Sequence, residues 1–172
     1  MPEDGQRYEL VLGALQVMSP AGLEHGWVAA KLWSYLTRYL MDRDLGTAFS
    51  TETGFVLSRN PDTVRAPDIA FVRANRLVQT GIIQKYFPGA PDLAIEIISP
   101  EDRYSEVDAK VQEYLSAGSE LVWIVNPRTR TVSAYGTNRT VTIYSDRDDL
   151  TAPELLPGFS CRVADLFPKQ PA

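Results

Sequence analysis

Asp68 lies in Val64-Arg-Ala-Pro-Asp-Ile-Ala-Phe-Val72 and Glu96 in Asp92-Leu-Ala-Ile-Glu-Ile-Ile-Ser99, two stretches that otherwise read as largely buried strands. A buried carboxylate is strongly disfavoured unless it is paired or coordinates a metal. Two such acids on neighbouring strands, with Lys110 on the next helix, are the residue types of a divalent-metal site. Magnesium takes oxygen ligands, usually one or two carboxylates completed by water and substrate phosphate. Asp68 and Glu96 meet that requirement, and the backbone carbonyl of Ile97 offers a third oxygen. Glu52, in Phe49-Ser-Thr-Glu-Thr-Gly-Phe55, is a further candidate acid if its strand neighbours that of Asp68.

Strand side chains alternate faces, so Asp68 shares its face with Ala66, Ala70 and Val72, and Glu96 with Ala94 and Ile98. Small neighbours leave room for a metal, its waters and a phosphate. At about 100° per residue, Val107, Val111, Tyr114 and Leu115 form the buried face of a helix over 105–117, with Lys110 at its edge. A lysine there can bury its stem and present its ammonium to the sheet, where it would orient a nucleophile or offset developing charge. Each residue also has a plainer reading. Asp68 after Pro67 suits a turn or cap, Glu96 and Lys110 suit a structural ion pair, and His25 suits packing or capping in the first turn of a helix. Ser99 reads as a helix cap rather than a nucleophile. Only the three together favour a site.

The elements that must hold these residues follow from hydrophobic period and turn chemistry. Tyr8–Met18 reads as two short strands turning at Leu12-Gly13. Val28, Leu32, Leu36 and Leu40 recur at i+4, predicting a helix from about Leu23 to Met41. Thr47 to Leu57 and Val64 to Val72 read as strands joined by the turn-rich Ser58-Arg-Asn-Pro-Asp62. Residues 73–91 read as irregular with room for a short helix. Leu93 to Ile98 has the unbroken apolar run of a central strand, and the helix after it stops at Gly118. Leu121–Val125 is another buried strand, followed by strands over about 131–136 and 140–145. A short apolar piece, Val163–Phe167, closes the pattern. Helix, strand, strand, strand, helix, strand is the order of a mixed sheet with helices packed on it.

The length of 172 residues suits one domain. A single cysteine, Cys161, excludes an internal disulfide and a cysteine-rich metal site, and a single histidine excludes a multi-histidine zinc site. The polar, acidic opening Met1–Arg7 does not read as a signal peptide, and no apolar run nears the ~20 residues of a membrane span, so a cytoplasmic protein without membrane association is expected. The net charge of −5 lacks the basic footprint usual for nucleic-acid binders. DNA recognition would then rest on a local patch or a bound cation.

Taken in order, Tyr8-Glu-Leu with Gly13, Met18-Ser-Pro20 with Glu24-His25, Ala66-Pro-Asp-Ile-Ala-Phe-Val72, Pro91-Asp-Leu-Ala-Ile-Glu-Ile-Ile-Ser-Pro100, Lys110 with Tyr114, and Val122-Trp-Ile-Val125 resemble the Uma family of putative restriction endonucleases, within the PD-(D/E)XK nuclease superfamily. The resemblance runs from about residue 7 to residue 167. It implies an α/β (α+β) restriction-endonuclease-like core of order αβββαβ, with an N-terminal β-hairpin and extra C-terminal strands. It also implies hydrolysis of DNA phosphodiesters with Mg²⁺ or Mn²⁺. Asp68 matches the first acid and Glu96 the second, with the Ile97 carbonyl beside them. The superfamily's lysine would stand at position 98, which is Ile98 here, so Lys110 would replace it from the helix. His25, Glu52 and Tyr114 are supporting candidates. Cutting both strands of a duplex is most simply done by a homodimer. Two rival readings remain: a degenerate nuclease fold that binds DNA or protein, and a hydrolase of small phosphoesters.

Overall fold

The structure, a computed structural model, describes residues 7–81 and 84–169. Strands β1 (Arg7–Val11) and β2 (Ala14–Met18) form an antiparallel hairpin. Its turn residues Leu12 and Gly13 both have positive φ, 49° and 81°, the geometry whose twist matches the flanking strands. Helix α1 (Leu23–Leu40) buries Val28, Leu32, Leu36 and Leu40, the i+4 row seen in the sequence. Leu32 is wholly enclosed, so truncating it to alanine would cost about 2–5 kcal/mol.

There follow β3 (Gly46–Ser50), β4 (Phe55–Ser58), β5 (Thr63–Arg65), β6 (Ile69–Arg73), α2 (Ala74–Thr80), β7 (Phe87–Pro88), β8 (Leu93–Ile97), α3 (Tyr104–Ser116) and β9 (Leu121–Asn126). β10 (Thr131–Gly136), β11 (Val141–Tyr144), β12 (Asp149–Ala152), β13 (Leu156–Arg162) and a 3₁₀ turn (Val163–Leu166) complete the described chain. The central sheet has the order β11-β10-β9-β8-β6-β3, and a second sheet the order β2-β1-β5-β4-β7. β8 and β9 run parallel, so the chain must cross over between them, and α3 is that crossover. The α1–β3–β6–β8–α3–β9 path is the expected αβββαβ order, interrupted by α2 and by β4, β5 and β7, which belong to the other sheet.

The central sheet is covered on both faces. Ile69, Phe71, Leu93, Ile95, Trp123 and Val125 pack with α1 and the C-terminal residues Leu150, Phe159 and Leu166. On the opposite face Ala94, Val122 and Ile124 lie under Val111 and Tyr114 of α3. Glu96 shares the alternation of Ala94 and therefore faces α3.

Three sequence expectations need correction. The strand expected over 47–57 is two strands in different sheets, parted by a turn in which Glu52 takes φ 82°. The strand expected over 64–72 is likewise split into β5 and β6, because Pro67 has no N–H to continue a ladder. Ser99 does not cap α3. Its amide donates to the Asp102 carboxylate at 2.8 Å in a separate turn, and Arg103 stands at the helix start. The β12–β13 hairpin had no counterpart in the sequence reading.

Candidate active site

The break at Pro67 determines where Asp68 goes. β6 pairs antiparallel with β8 from Phe71↔Leu93 to Ile69↔Ile95, so Asp68 occupies the next position, beside Glu96 in register. Its chain has left the strand there, and its side chain takes over the ladder: the Ile97 amide donates to Asp68 Oδ2 at 2.8 Å. The same oxygen meets His25 Nε2 at 3.0 Å, so the first turn of α1 is tied to the bend that opens β6. This contact holds the imidazole pKa above its ordinary value, against the opposing effect of burial, and favours the imidazolium.

The Ile97 carbonyl follows from the same geometry. Alternate residues of a strand send both backbone groups to opposite edges. Ile98 donates to Val125 of β9 at 2.8 Å, whereas Ile97 donates toward Asp68. The Ile97 carbonyl is thereby directed to the Asp68 side of β8, past the last β6 pair.

Glu96 is held from the α3 side. Lys110 Nζ donates to Oε2 and the Tyr114 hydroxyl to Oε1, both at 2.8 Å. Burial pushes the Glu96 carboxyl up, the Lys110 ammonium opposes this, and the negative charges of Asp68 and Glu9 add to it. Burial alone would lower the Lys110 pKa, but Glu96 and Glu9 outweigh it and keep the ammonium protonated well above neutrality. Burial and the neighbouring Glu96 hold the Tyr114 phenol protonated as a donor.

A second group of charges, absent from the sequence reading, stands behind this one. Glu9 on β1 is almost fully buried. It accepts from Arg65 Nη1 at 2.7 Å and from the Ala66 amide at 3.0 Å. Arg65 then grips Glu113 on α3 with two bonds of 2.7 and 3.1 Å. Glu113 lies three residues after Lys110, so this clamp fixes α3 against β1 and β5 at the turn that carries the lysine. The available signal was a charged residue inside each of two apolar strands, Glu9 and Arg65, of opposite sign. Glu52, by contrast, is exposed in the turn after β3. β3 does neighbour β6, with Ser50 opposite Ile69, but Glu52 stands past the end of that pairing.

The donors around Asp68 and Glu96 are hard oxygens, the kind Mg²⁺ or Mn²⁺ takes. Asp68 uses Oδ2 for both of its bonds, leaving Oδ1 without a hydrogen bond among the described residues. No three His, Cys, Asp or Glu side chains among the described residues form a metal-binding group. Two carboxylates and the Ile97 carbonyl would therefore need water and a phosphate oxygen to complete an octahedral shell. Asp68 also lines an open groove of about 240 Å³, with Ala29, Ala30 and Trp33 of α1 on one side and Ser50 and Thr51 on the other.

Residues 1–164 match a family model, Uma2, described as "Putative restriction endonuclease". A solved structure from Anabaena variabilis, titled as a putative nuclease belonging to DUF820, superposes with a TM-score of 0.85 at 22 % identity, over 97 % of this chain and 93 % of that one. At that identity the likeness is one of fold. No curated protein gives a significant match.

Proposed function

The chain belongs to the Uma2 family of putative restriction endonucleases, and on that premise we propose that it hydrolyses DNA phosphodiester bonds with a divalent cation, Mg²⁺ or Mn²⁺. The observation that carries this reading is the Asp68–Glu96 register. One acid stands just before β6, the other lies on β8 one residue past the last β6 pair, and the Ile97 amide ties the first acid to the strand of the second. Asp68, Glu96 and the Ile97 carbonyl would hold the cation. When bound, it would stabilise charge on the phosphate and lower the pKa of a water.

The protein's own groups supply the rest. His25 and Ile97 fix the Asp68 carboxylate in one orientation. Tyr114 fixes Glu96 from the buried side, leaving Lys110 as the movable partner on the Glu96 Oε2 edge. Lys110 is 20 % exposed at its side chain, and its ammonium would neutralise a phosphate oxygen or orient the attacking water. In that role it stands in for the lysine that Ile98 replaces. A homodimer would bring two such sites to the two strands of a duplex.

The test is cleavage of supercoiled plasmid and of linear DNA in Mg²⁺ or Mn²⁺ against EDTA. Metal-dependent cutting with end-labelled hydrolysis products is expected. A second reading, a DNA-binding module without catalysis, draws on the two bonds that already occupy both Glu96 oxygens. DNA binding with no cutting in either metal would favour it.

A further inference from the structure

We propose that the groove beside Asp68 seats one unpaired nucleobase of the strand being cut, stacked on Trp33, so that the preferred substrate is single-stranded or locally opened DNA. This deepens the nuclease reading and rests on it for the identity of the ligand.

Three observations carry the inference. First, the groove meets the proposed site at Asp68, which lines the groove and is one of the site's two acids. A base lodged there would belong to a nucleotide next to the scissile phosphate. Second, its walls suit a flat, uncharged ring. Trp33 offers an indole, Ala29 and Ala30 are small enough to leave space beside it, and Ser50 and Thr51 supply hydroxyls for base edges. At about 240 Å³ it is smaller than the roughly 300–1,000 Å³ of pockets for drug-sized ligands, room for one ring system rather than a base pair. Third, no cationic side chain among the described residues lines it, and the chain carries a net charge of −5. Affinity for duplex DNA comes largely from phosphate neutralisation, which this surface is poorly built to supply. Stacking on aromatic side chains is the alternative source, and it needs bases that are free of a duplex. Trp27, 46 % exposed, stands three residues before Ala30 on the same helix, with the Lys31 ammonium 5.6 Å from its ring centroid. It is a second, partly exposed aromatic ring on α1.

The experiment measures anisotropy of a fluorescein-labelled thymidine oligonucleotide in EDTA, so that nothing is cut, against wild type, Trp33→Phe and Trp33→Leu. The same is done with an oligonucleotide of abasic sugars and with a blunt duplex. Wild type should bind the thymidine strand more tightly than either the abasic strand or the duplex. Trp33→Leu should weaken thymidine binding roughly 5- to 150-fold, leave abasic binding unchanged, and be largely rescued in Trp33→Phe. Equal losses on thymidine and abasic strands would show a merely structural tryptophan and overturn the proposal, as would tighter binding of the duplex. The cleavage assay separates the two readings. If no DNA is cut but the Trp33 pattern holds, hydrolysis fails and the base site stands. If DNA is cut and the pattern is absent, the base site fails alone.

Discussion

The Ile97 amide donates a 2.8 Å hydrogen bond to the Asp68 carboxylate, so one acid is fixed to the strand that carries the other. A backbone group needs no side-chain rotamer to hold its place, and the bond replaces a ladder position that Pro67 removes from β6. Asp68 is thus both a structural acceptor and a candidate ligand, and the two roles can be separated.

Asp68→Ala should cost about 1–3 kcal/mol of stability, because it leaves a buried amide without its acceptor. Asp68→Asn keeps an acceptor oxygen and should lose less. Urea unfolding of both variants measures the difference. Cleavage should be lost in both, since an amide oxygen carries no charge for a cation.

Lys110→Met strands a buried carboxylate and should destabilise by about 2–4 kcal/mol, somewhat below the loss for a fully enclosed pair. Adding Glu96→Leu should recover part of that loss, because it removes the stranded charge while leaving the buried Tyr114 hydroxyl without its acceptor. Activity should stay absent in the double variant. Thermal unfolding beside a cleavage assay reads both properties. A double variant markedly less stable than Lys110→Met would contradict the pairing.

Arg65→Lys should not be conservative. A lysine cannot reproduce the two-pronged grip on Glu113 while also reaching Glu9. A stability loss of about 2–3 kcal/mol is expected, together with a fall in kcat larger than any change in KM, because α3 would no longer hold Lys110 in place. Unchanged kcat in a destabilised but folded Arg65→Lys would limit the clamp to stability.

Cys161 is enclosed, and burial pushes its thiol up to about 12. The reactive species is the thiolate, so at pH 8 only about one molecule in ten thousand carries it. Raising pH toward 12 increases that fraction, and lowering pH removes it. Ellman's reagent should leave the native protein unlabelled at pH 8 and label it stoichiometrically in denaturant. Rapid labelling of the native state would contradict this burial.

The helical and central-strand parts of this fold were legible because their signals are periodic. Val28, Leu32, Leu36 and Leu40 mark one helix stripe, and Leu93–Ile97 is an apolar run long enough for a covered strand. The strand breaks at residues 51–54 and 66–68 were not. Both flanks are β-rich, and only tertiary pairing decides that β4 and β5 join the other sheet. His25 reads as packing in isolation because its partner, Asp68, is 43 residues away. Glu9, Arg65 and Glu113 join β1, β5 and α3, and nothing local to any of them specifies the other two. The Glu96–Lys110 pairing was foreseen only as the plainer alternative to a site, and it is the contact observed. In the proposed reaction Lys110 leaves Glu96 for the substrate.

The most direct test compares cleavage rates in Mg²⁺ for wild type, Asp68→Asn, Glu96→Gln and Lys110→Met, each first shown to be folded by near-UV circular dichroism. Wild type should cut single-stranded oligonucleotide and plasmid, EDTA should stop it, and each substitution should lower the rate by about 100-fold or more. Cutting that persists at the wild-type rate through all three substitutions would contradict a site built on Asp68, Glu96 and Lys110.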